Sequence, residues 1–256
     1  MYKSLSRAAV AVLFTLASAQ GAWAQTGTPP ATQAGTPAPA QSGQPAAAPQ
    51  SSPQPGTLLR REDGHEWAPL LEQKFDYKDW TFKSLKDGTP VSLRELAKGK
   101  KLVMVVYFAP WCGNWKAEAP TVWRLYEKYK AEGFEVVAVS EYASAEDSRK
   151  YFESQGGAPF PVVVESETSD AKEKTTHYAY RKSVGDPRNW GSPFNIFLEP
   201  SKLNKTGEVL TERAWVVGGE LIEKDVERFI RERLGLSEQS AAEPCSDEPK
   251  LAIKKQ

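Results

Sequence analysis

One short stretch, FAPWCGNW at residues 108–115, contains the residue best suited to covalent chemistry. Cys112 follows an apolar run and Trp111, and it stands where a helix is predicted to begin. Because amide groups at a helix N-terminus stabilise negative charge, a cysteine there is expected to be a reactive thiolate. Three positions further on stands Trp115 instead of a second cysteine, so no Cys-x-x-Cys disulfide can form. The sequence predicts a lone nucleophilic thiol; the alternative is a buried, inert cysteine.

The chain has one other cysteine and two histidines that bear on thiol or metal chemistry. Cys245, near the end of the chain, could resolve a disulfide on Cys112, bond to another chain or stay unpaired, and all three remain open. Neither His65 nor His177 stands at a metal-ligand spacing from another histidine or from a cysteine. The sequence also lacks a glycine-rich phosphate loop and a G-x-S-x-G elbow. We therefore expect no metal ion and no cofactor.

The first 24 residues have the pattern of a secretory signal peptide. Lys3 and Arg7 form a short positive region, residues 8–19 are mostly apolar, and AWA at 22–24 offers a small-x-small cleavage site. The apolar run is shorter than the roughly 20 residues that a membrane span requires. We expect cleavage near Ala24, export to the periplasm or the medium, and no membrane span in the mature chain.

The charge balance argues against two classes of partner. The whole chain has 33 Lys and Arg against 33 Asp and Glu. Loss of the signal peptide removes Lys3 and Arg7 and no acid, which leaves 31 against 33 and a net charge of −2. Because this balance is close to neutral, neither nucleic acid nor an anionic membrane surface is indicated as a partner.

Composition divides the mature chain into three parts. Residues 25–59 have no charged side chain and are rich in proline, alanine and glutamine, which predicts a disordered tether. A proline-rich recognition segment is the alternative, although no Pro-x-x-Pro with a basic flank occurs. Residues 60–236 have the length of one domain. Residues 237–256 mix both charges with serine, alanine and proline and are expected to form a mobile tail.

The hydrophobic pattern predicts strands that alternate with helices. A continuous apolar run predicts a buried strand at 102–108, and a second buried strand is predicted at 134–139. Shorter strands are predicted at 79–85, 160–164, 194–198 and 214–217. Helices are predicted at 92–96 with Ser92 as the cap, and at 113–130, 145–154, 170–182 and 220–234. This order predicts an α/β fold with a central mixed sheet of four or five strands, helices on both faces and an antiparallel edge.

Several motifs resemble, in order and spacing, the active-site region and core of the thioredoxin fold. They are DGTPVSL at 87–93, the strand and Trp-Cys at 102–112, VVAVS at 136–140, FPV at 160–162 and GSPFNIFL at 191–198. The pattern most resembles the exported, redoxin-type thiol–disulfide oxidoreductases related to cytochrome-maturation proteins. The resemblance covers roughly residues 80–234 and implies a thioredoxin-like α/β fold.

The resemblance also implies roles for individual residues. Cys112 matches the family's attacking cysteine, and Glu118 matches an acid one helical turn beyond the motif. Glu118 could relay protons to or from sulfur; the alternative is an exposed acid on the helix with no such role. Pro193 matches the cis-proline that faces the thiol. Such a bond turns the chain so that the backbone of Ser192 can pair with an extended client peptide beside Cys112.

Two tryptophans complete the predicted site as substrate-binding residues. Trp111 is expected to shield the thiol of Cys112 and to offer an apolar contact, with simple packing as the alternative. Trp115 occupies the place of the resolving cysteine. An aromatic ring there either fills the apolar floor below the thiol or caps the thiol.

The predicted function is thiol–disulfide exchange in the periplasm with Cys112 as the only nucleophile. A thiol without an internal partner forms a mixed disulfide that another thiol must resolve, so client proteins and an external thiol or reductant are the expected partners. The second hypothesis is a non-catalytic thioredoxin-fold module that binds client peptides. The third is a one-cysteine thiol peroxidase, whose Pro-x-x-x-Thr-x-x-Cys arrangement requires threonine where Ala109 stands.

Overall fold

The computed structural model of the protein describes residues 59–60 and 64–236. The predicted signal peptide, nearly all of the predicted tether, and the predicted tail with Cys245 lie outside the described residues. The boundaries of those segments and of the 60–236 domain remain predictions. Within the part of the chain that the structure describes, no helix is both long enough and apolar enough to cross a bilayer.

Strands and α-helices alternate through most of the described chain. The strands are β1 (Leu59–Arg60), β2 (Glu66–Ala68), β3 (Leu71–Lys78), β4 (Thr81–Ser84), β5 (Pro90–Ser92), β6 (Leu102–Phe108), β7 (Phe134–Ser140), β8 (Val162–Val164), β9 (Phe194–Leu198), β10 (Val209–Val217) and β11 (Glu220–Leu221). The helices are α1 (Leu93–Leu96), α2 (Gly113–Tyr129), α3 (Ala145–Ser154), α4 (Thr176–Ser183) and α5 (Glu223–Leu234).

The main sheet contains eight of these strands in the order β3-β10-β9-β6-β7-β8-β4-β5. The strands β6, β7 and β8 run parallel, and the remaining neighbours pair antiparallel. The mixed sheet and its antiparallel edge are confirmed, but the sheet is wider than the four or five strands predicted. The largest addition is β3, an edge strand whose alternating burial was not recognised in the sequence. A small second sheet joins β1, β2 and β11.

Strand β6 lies in the middle of the sheet, between β7 and β9, and all 7 of its residues are buried. Met104 and Val106 belong to a core cluster shared with α2, α3 and α5. Val103 and Val105 belong to a second cluster shared with α1 and α4. Because each buried aliphatic side chain contributes about 1.5–3 kcal/mol, a strand covered on both faces uses a continuous apolar run.

The order of these elements defines the fold. The unit β6–α2–β7 is a parallel crossover, the antiparallel pair β9–β10 lies on the other side of β6, and α5 closes the domain. Helices cover both faces of the sheet. The thioredoxin-like α/β fold that the sequence predicts is therefore confirmed.

Helix α4 begins later than the sequence suggests. A helix is predicted from residue 170, but Lys172–Lys174 form a separate turn of 3-10 helix. Thr175 then caps α4, its side-chain oxygen accepting a hydrogen bond from the backbone N–H of Tyr178 at 3.1 Å. The threonine competes with the backbone for hydrogen bonds, and for that reason it starts the helix rather than continuing one.

Candidate active site

Cys112 lies at the point where β6 ends and α2 begins. It is the N-cap residue of α2, its backbone is extended, and its side chain makes no capping bond to the helix. The half-buried thiol instead donates a hydrogen bond to the carbonyl oxygen of Ser192 at 3.1 Å. The thiol therefore lies at the N-terminus of a helix and against a loop from a distant part of the chain.

The loop that faces the thiol is Ser192–Pro193, and its peptide bond is cis, as the resemblance implies. Ser192 is buried, and its hydroxyl oxygen accepts the backbone N–H of Ala109 at 2.9 Å. This bond ties the loop to the residue that follows β6. The serine side chain is thus engaged inside the protein, while its carbonyl oxygen faces Cys112.

Trp111 is the large apolar side chain that is most open to solvent beside the thiol. Its ring is 45 % exposed, and it is the one large exposed hydrophobic side chain within the described residues. The indole Nε1–H donates to the backbone oxygen of Tyr142 at 3.2 Å, and the ring meets Trp190 edge-on at 5.4 Å between centroids. The predicted contact of Trp111 with a client stays a prediction.

Trp115 lies inside the core. Its side chain is fully buried, at 0 % exposure. Its ring packs 4.8 Å from that of Phe108 and 5.9 Å from that of Trp123, measured between centroids. Of the two orientations predicted for this tryptophan, the structure shows the one that fills the apolar floor. The assignment of Trp115 as a residue that touches substrate is corrected by this burial.

Glu118 is buried as well, at 4 % exposure, and not on the exposed face of its helix. One carboxylate oxygen accepts the backbone N–H of Leu221 at 2.8 Å and the side-chain N–H of Asn195 at 3.3 Å. The other oxygen has no hydrogen-bond partner among the described residues. Burial raises the pKa of Glu118 to about 8 despite these two donors. Among the described residues, its hydrogen bonds go to β9 and β11 rather than to Cys112.

A second buried acid lies at the same end of the sheet. The backbone N–H of Glu141, which follows β7, donates to the carbonyl oxygen of Phe108 at 2.8 Å. Glu165 follows β8 at the matching position, since Ser140 and Val164 are register partners. Burial and then the neighbouring carboxyl of Glu165 raise the pKa of Glu141 well above its ordinary value.

Sequence reasoning missed the buried ion cluster that supports the cis-proline loop. Arg181 is fully buried; its Nε donates to Asp186 at 3.0 Å and its Nη1 to the backbone oxygen of Trp190 at 2.8 Å. Arg188 pairs with Asp186 and donates to the backbone oxygen of Pro193 at 2.9 Å. Burial alone would raise the pKa of Asp186, but hydrogen bonds and charge from Arg188 keep that pKa below its ordinary value.

His177 was the other residue missed. It is fully buried and bonded to Tyr142 and to the backbone of Gly191, the residue before the cis-proline loop. Burial lowers its pKa well below 6.5. No local pattern marks this histidine in the sequence, because its partners lie 35 and 14 positions away.

Known proteins that are similar to this chain include proteins named for thiol chemistry. Residues 74–184 match the model of the AhpC/TSA family. A protein of Helianthus annuus named probable phospholipid hydroperoxide glutathione peroxidase is 29% identical over 149 residues, which is 53% of this chain and 79% of that protein. The thiol-disulfide oxidoreductase ResA of Bacillus thuringiensis is 33% identical over 79 residues, which is 31% of this chain and 44% of that protein.

Solved structures with a similar arrangement include a thiol:disulfide interchange protein of the thioredoxin family from Chlorobium tepidum. It is 22% identical, covers 64% of this chain and 98% of its own, and has a TM-score of 0.46. The fold is thioredoxin-like, and residues 74–184, which include Cys112 and all of α2, are similar to the AhpC/TSA family.

Proposed function

We propose that this protein is an exported thiol–disulfide oxidoreductase in which Cys112 is the single nucleophile. One observation carries the proposal: Cys112 Sγ lies at the start of α2, 3.1 Å from the carbonyl oxygen of Ser192, while a buried tryptophan fills position 115. The site thus has the attacking thiol and the facing loop but no second thiol at that position. Export to the periplasm is supported by the signal-peptide pattern of the first 24 residues.

The proposed reaction has three exchange steps. The thiolate of Cys112 attacks one sulfur of a client disulfide, a new S–S bond forms, and the second client sulfur leaves as a thiolate that takes up a proton. An external thiolate then attacks the Cys112 sulfur of this mixed disulfide, and the client leaves as a thiolate that takes up a proton. A second external thiolate attacks the external sulfur of the new mixed disulfide and releases Cys112. In the net reaction the client disulfide is reduced to two thiols and two external thiols are oxidised to one disulfide, and the reverse sequence oxidises a client.

Other residues support this chemistry in the proposal. Glu118, whose pKa burial raises to about 8, holds a proton at neutral pH and is able to exchange it in the working pH range. Trp111 offers its exposed ring to an apolar part of the client. Ser192 and Pro193 give the client a backbone surface beside the thiol. Cys245 is free in this scheme to act as an alternative resolving thiol.

The test is to trap the intermediate on the whole mature chain. Wild-type protein and the variants Cys112→Ser and Cys245→Ser are incubated with a peptide that contains one disulfide, and the products are identified by mass spectrometry. We expect a mixed disulfide on Cys112 in wild type and in Cys245→Ser, and its release by a small thiol. If Cys112 is alkylated readily but never forms the mixed disulfide while the peptide still binds, the chain is a non-catalytic binding module.

A second candidate is peroxide reduction, which the curated relatives named glutathione peroxidases favour. The thiolate of Cys112 would attack a hydroperoxide, take one oxygen to become a sulfenic acid, and release the alcohol after protonation. Two external thiols would then restore Cys112 and leave as a disulfide with one water. Two rates separate the two functions: the addition of one oxygen atom to Cys112 by an organic hydroperoxide, and the formation of the mixed disulfide with the peptide. If the first reaction is the faster one, the protein is a peroxidase.

A further inference from the structure

The imidazole of His177 packs against aromatic side chains of the second core cluster, and its hydrogen bonds connect the loop of Tyr142 to the loop of Gly191. Its ring stacks on Tyr107 at 5.1 Å between centroids with 4° between the planes. One ring nitrogen, Nε2, lies 3.1 Å from the carbonyl oxygen of Gly191. The other, Nδ1, lies 3.0 Å from the hydroxyl of Tyr142. A fully buried ring with both nitrogens engaged has one fixed orientation.

The protons of this bridge follow from the chemistry of its partners. Because burial lowers the pKa of His177, the ring is neutral and carries one proton. A carbonyl oxygen only accepts, so that proton is on Nε2 and is donated to Gly191. Nδ1 therefore accepts the hydroxyl proton of Tyr142, whose own pKa burial raises to about 12. Both bonds have a donor and an acceptor, and neither competes with water.

Tyr142 extends the bridge to the other side of the thiol. Its backbone has a φ of 60°, a left-handed conformation that non-glycine residues rarely adopt, and its carbonyl oxygen accepts the indole N–H of Trp111 at 3.2 Å. The three bonds therefore run from Trp111 to Gly191. Trp111 directly precedes Cys112, and Gly191 directly precedes the serine whose carbonyl accepts the thiol.

We propose that Tyr142 and His177 are positioning residues, which hold Trp111 and the Gly191–Ser192 backbone on either side of the Cys112 thiol. The proposal rests on the proposed thiol chemistry for its purpose, but the reactivity of Cys112 can be measured without any client. Among the hydrogen bonds of the described residues, neither Tyr142 nor His177 contacts the sulfur of Cys112. Their effect reaches it through the two segments that they connect.

The first test is Tyr142→Phe, which removes the hydroxyl and leaves the ring. The control is Tyr180→Phe, a buried tyrosine near the same Tyr107 ring whose hydroxyl accepts the N–H of Lys78 instead. Two rates are measured on the whole chain at fixed pH: alkylation of Cys112 by iodoacetamide, and exchange with a disulfide peptide.

In Tyr142→Phe we expect alkylation to become faster and peptide exchange slower. Alkylation becomes faster because a looser loop and a looser Trp111 leave the half-buried thiol more open to a small reagent. Peptide exchange slows because the loop and Trp111 no longer hold one arrangement. The ratio of the two rates should change by about two- to tenfold, the range that the loss of one neutral hydrogen bond allows. In Tyr180→Phe the ratio should stay at the wild-type value.

A second variant guards against a folding defect and tests the connection itself. Trp111→Phe removes the indole N–H at a partly exposed position and keeps a ring. If the bonds act as one chain, the double variant Trp111→Phe/Tyr142→Phe should alter the alkylation rate no more than the stronger single variant. Additive effects, or a Tyr142→Phe protein whose rates equal those of Tyr180→Phe, would overturn the proposal. Absence of peptide exchange in wild type would count against the proposed function, while the alkylation rates would still decide the positioning role.

Discussion

Glu118→Gln is the change that best tests how the buried end of the site is built. Burial raises the pKa of Glu118 to about 8 in the folded protein, against an ordinary value of 4.5. Between these two pH values the unfolded chain has released the proton and the folded chain still holds it. Folding therefore becomes less favourable as the pH rises through this window, and the loss is complete above pH 8. Glutamine has the shape of the protonated acid and cannot ionise.

The size of the effect follows from the two values. The difference between 4.5 and about 8 corresponds to about 5 kcal/mol of lost stability above pH 8, and to about 3 kcal/mol at pH 7. Glutamine can keep the hydrogen bonds that Glu118 accepts from Leu221 and Asn195. Its side-chain N–H group replaces the carboxyl oxygen that has no described partner. The variant should therefore be more stable than wild type at pH 8 and close to it at pH 5.

The measurement is urea unfolding of both proteins, followed by tryptophan fluorescence at pH 5, 6, 7 and 8. We expect the free energy of unfolding of the variant, minus that of wild type, to rise by about 3–4 kcal/mol from pH 5 to pH 8. The difference isolates Glu118 from other acids such as Glu141. Glu132→Gln, at an exposed position, is the control and should give a flat difference. A flat difference for Glu118→Gln as well would refute the argument from burial.

Three further changes test the site at other points. Trp115→Cys should lower the free energy of unfolding by roughly 3–5 kcal/mol through the void it leaves, by analogy with buried Trp→Ala, yet a folded variant should reduce disulfides with a small thiol. Circular dichroism must first show that the variant is folded, and a folded protein with an accessible Cys112 and no activity would contradict the lone-nucleophile mechanism. Ser192→Ala should lower the free energy of unfolding by about 1–3 kcal/mol, because the buried N–H of Ala109 loses its acceptor; an unchanged urea midpoint would speak against this bond. Gly191→Ala should reduce soluble yield, since its Cβ would collide with the Arg181 guanidinium at a φ of +62°; wild-type yield and melting would show that the loop has room.

The parts of the fold that the sequence predicts well are those where one local pattern decides the structure. The strand β6 appears as a continuous apolar run because both of its faces are covered, and α3 has the bounds predicted for it. Edge strand β3 was missed because only Phe75 and Tyr77 are buried in it and its other inward side chains are half-buried, and such a weak alternation also fits an irregular segment. Pairing with β10 is what makes it a strand.

In the candidate site, too, the sequence predicts the residues that a local motif marks and misses those that depend on distant contacts. The positions of Cys112 and of the cis-proline loop follow from short motifs, since each motif specifies its own turn. The burial of Glu118 could not be read from the helix pattern, and that of Trp115 was one of two predicted orientations, because both depend on which elements cover α2. The bridge through His177 joins residues 35 and 14 positions apart and has no local signature at all.

The burial of Trp115 connects the stability of this domain to its proposed mechanism. The indole lies between Phe108, at the end of β6, and Trp123 in α2, so it holds together the strand and the helix that present Cys112. A cysteine at position 115 would supply an internal resolving thiol with a high effective concentration, but it would remove that packing. With tryptophan there, the domain keeps a dense core below the thiol and has no resolving thiol at that position. On the proposed function, release of a client then depends on a thiol that comes from elsewhere, and the concentration of that thiol sets the lifetime of the mixed disulfide.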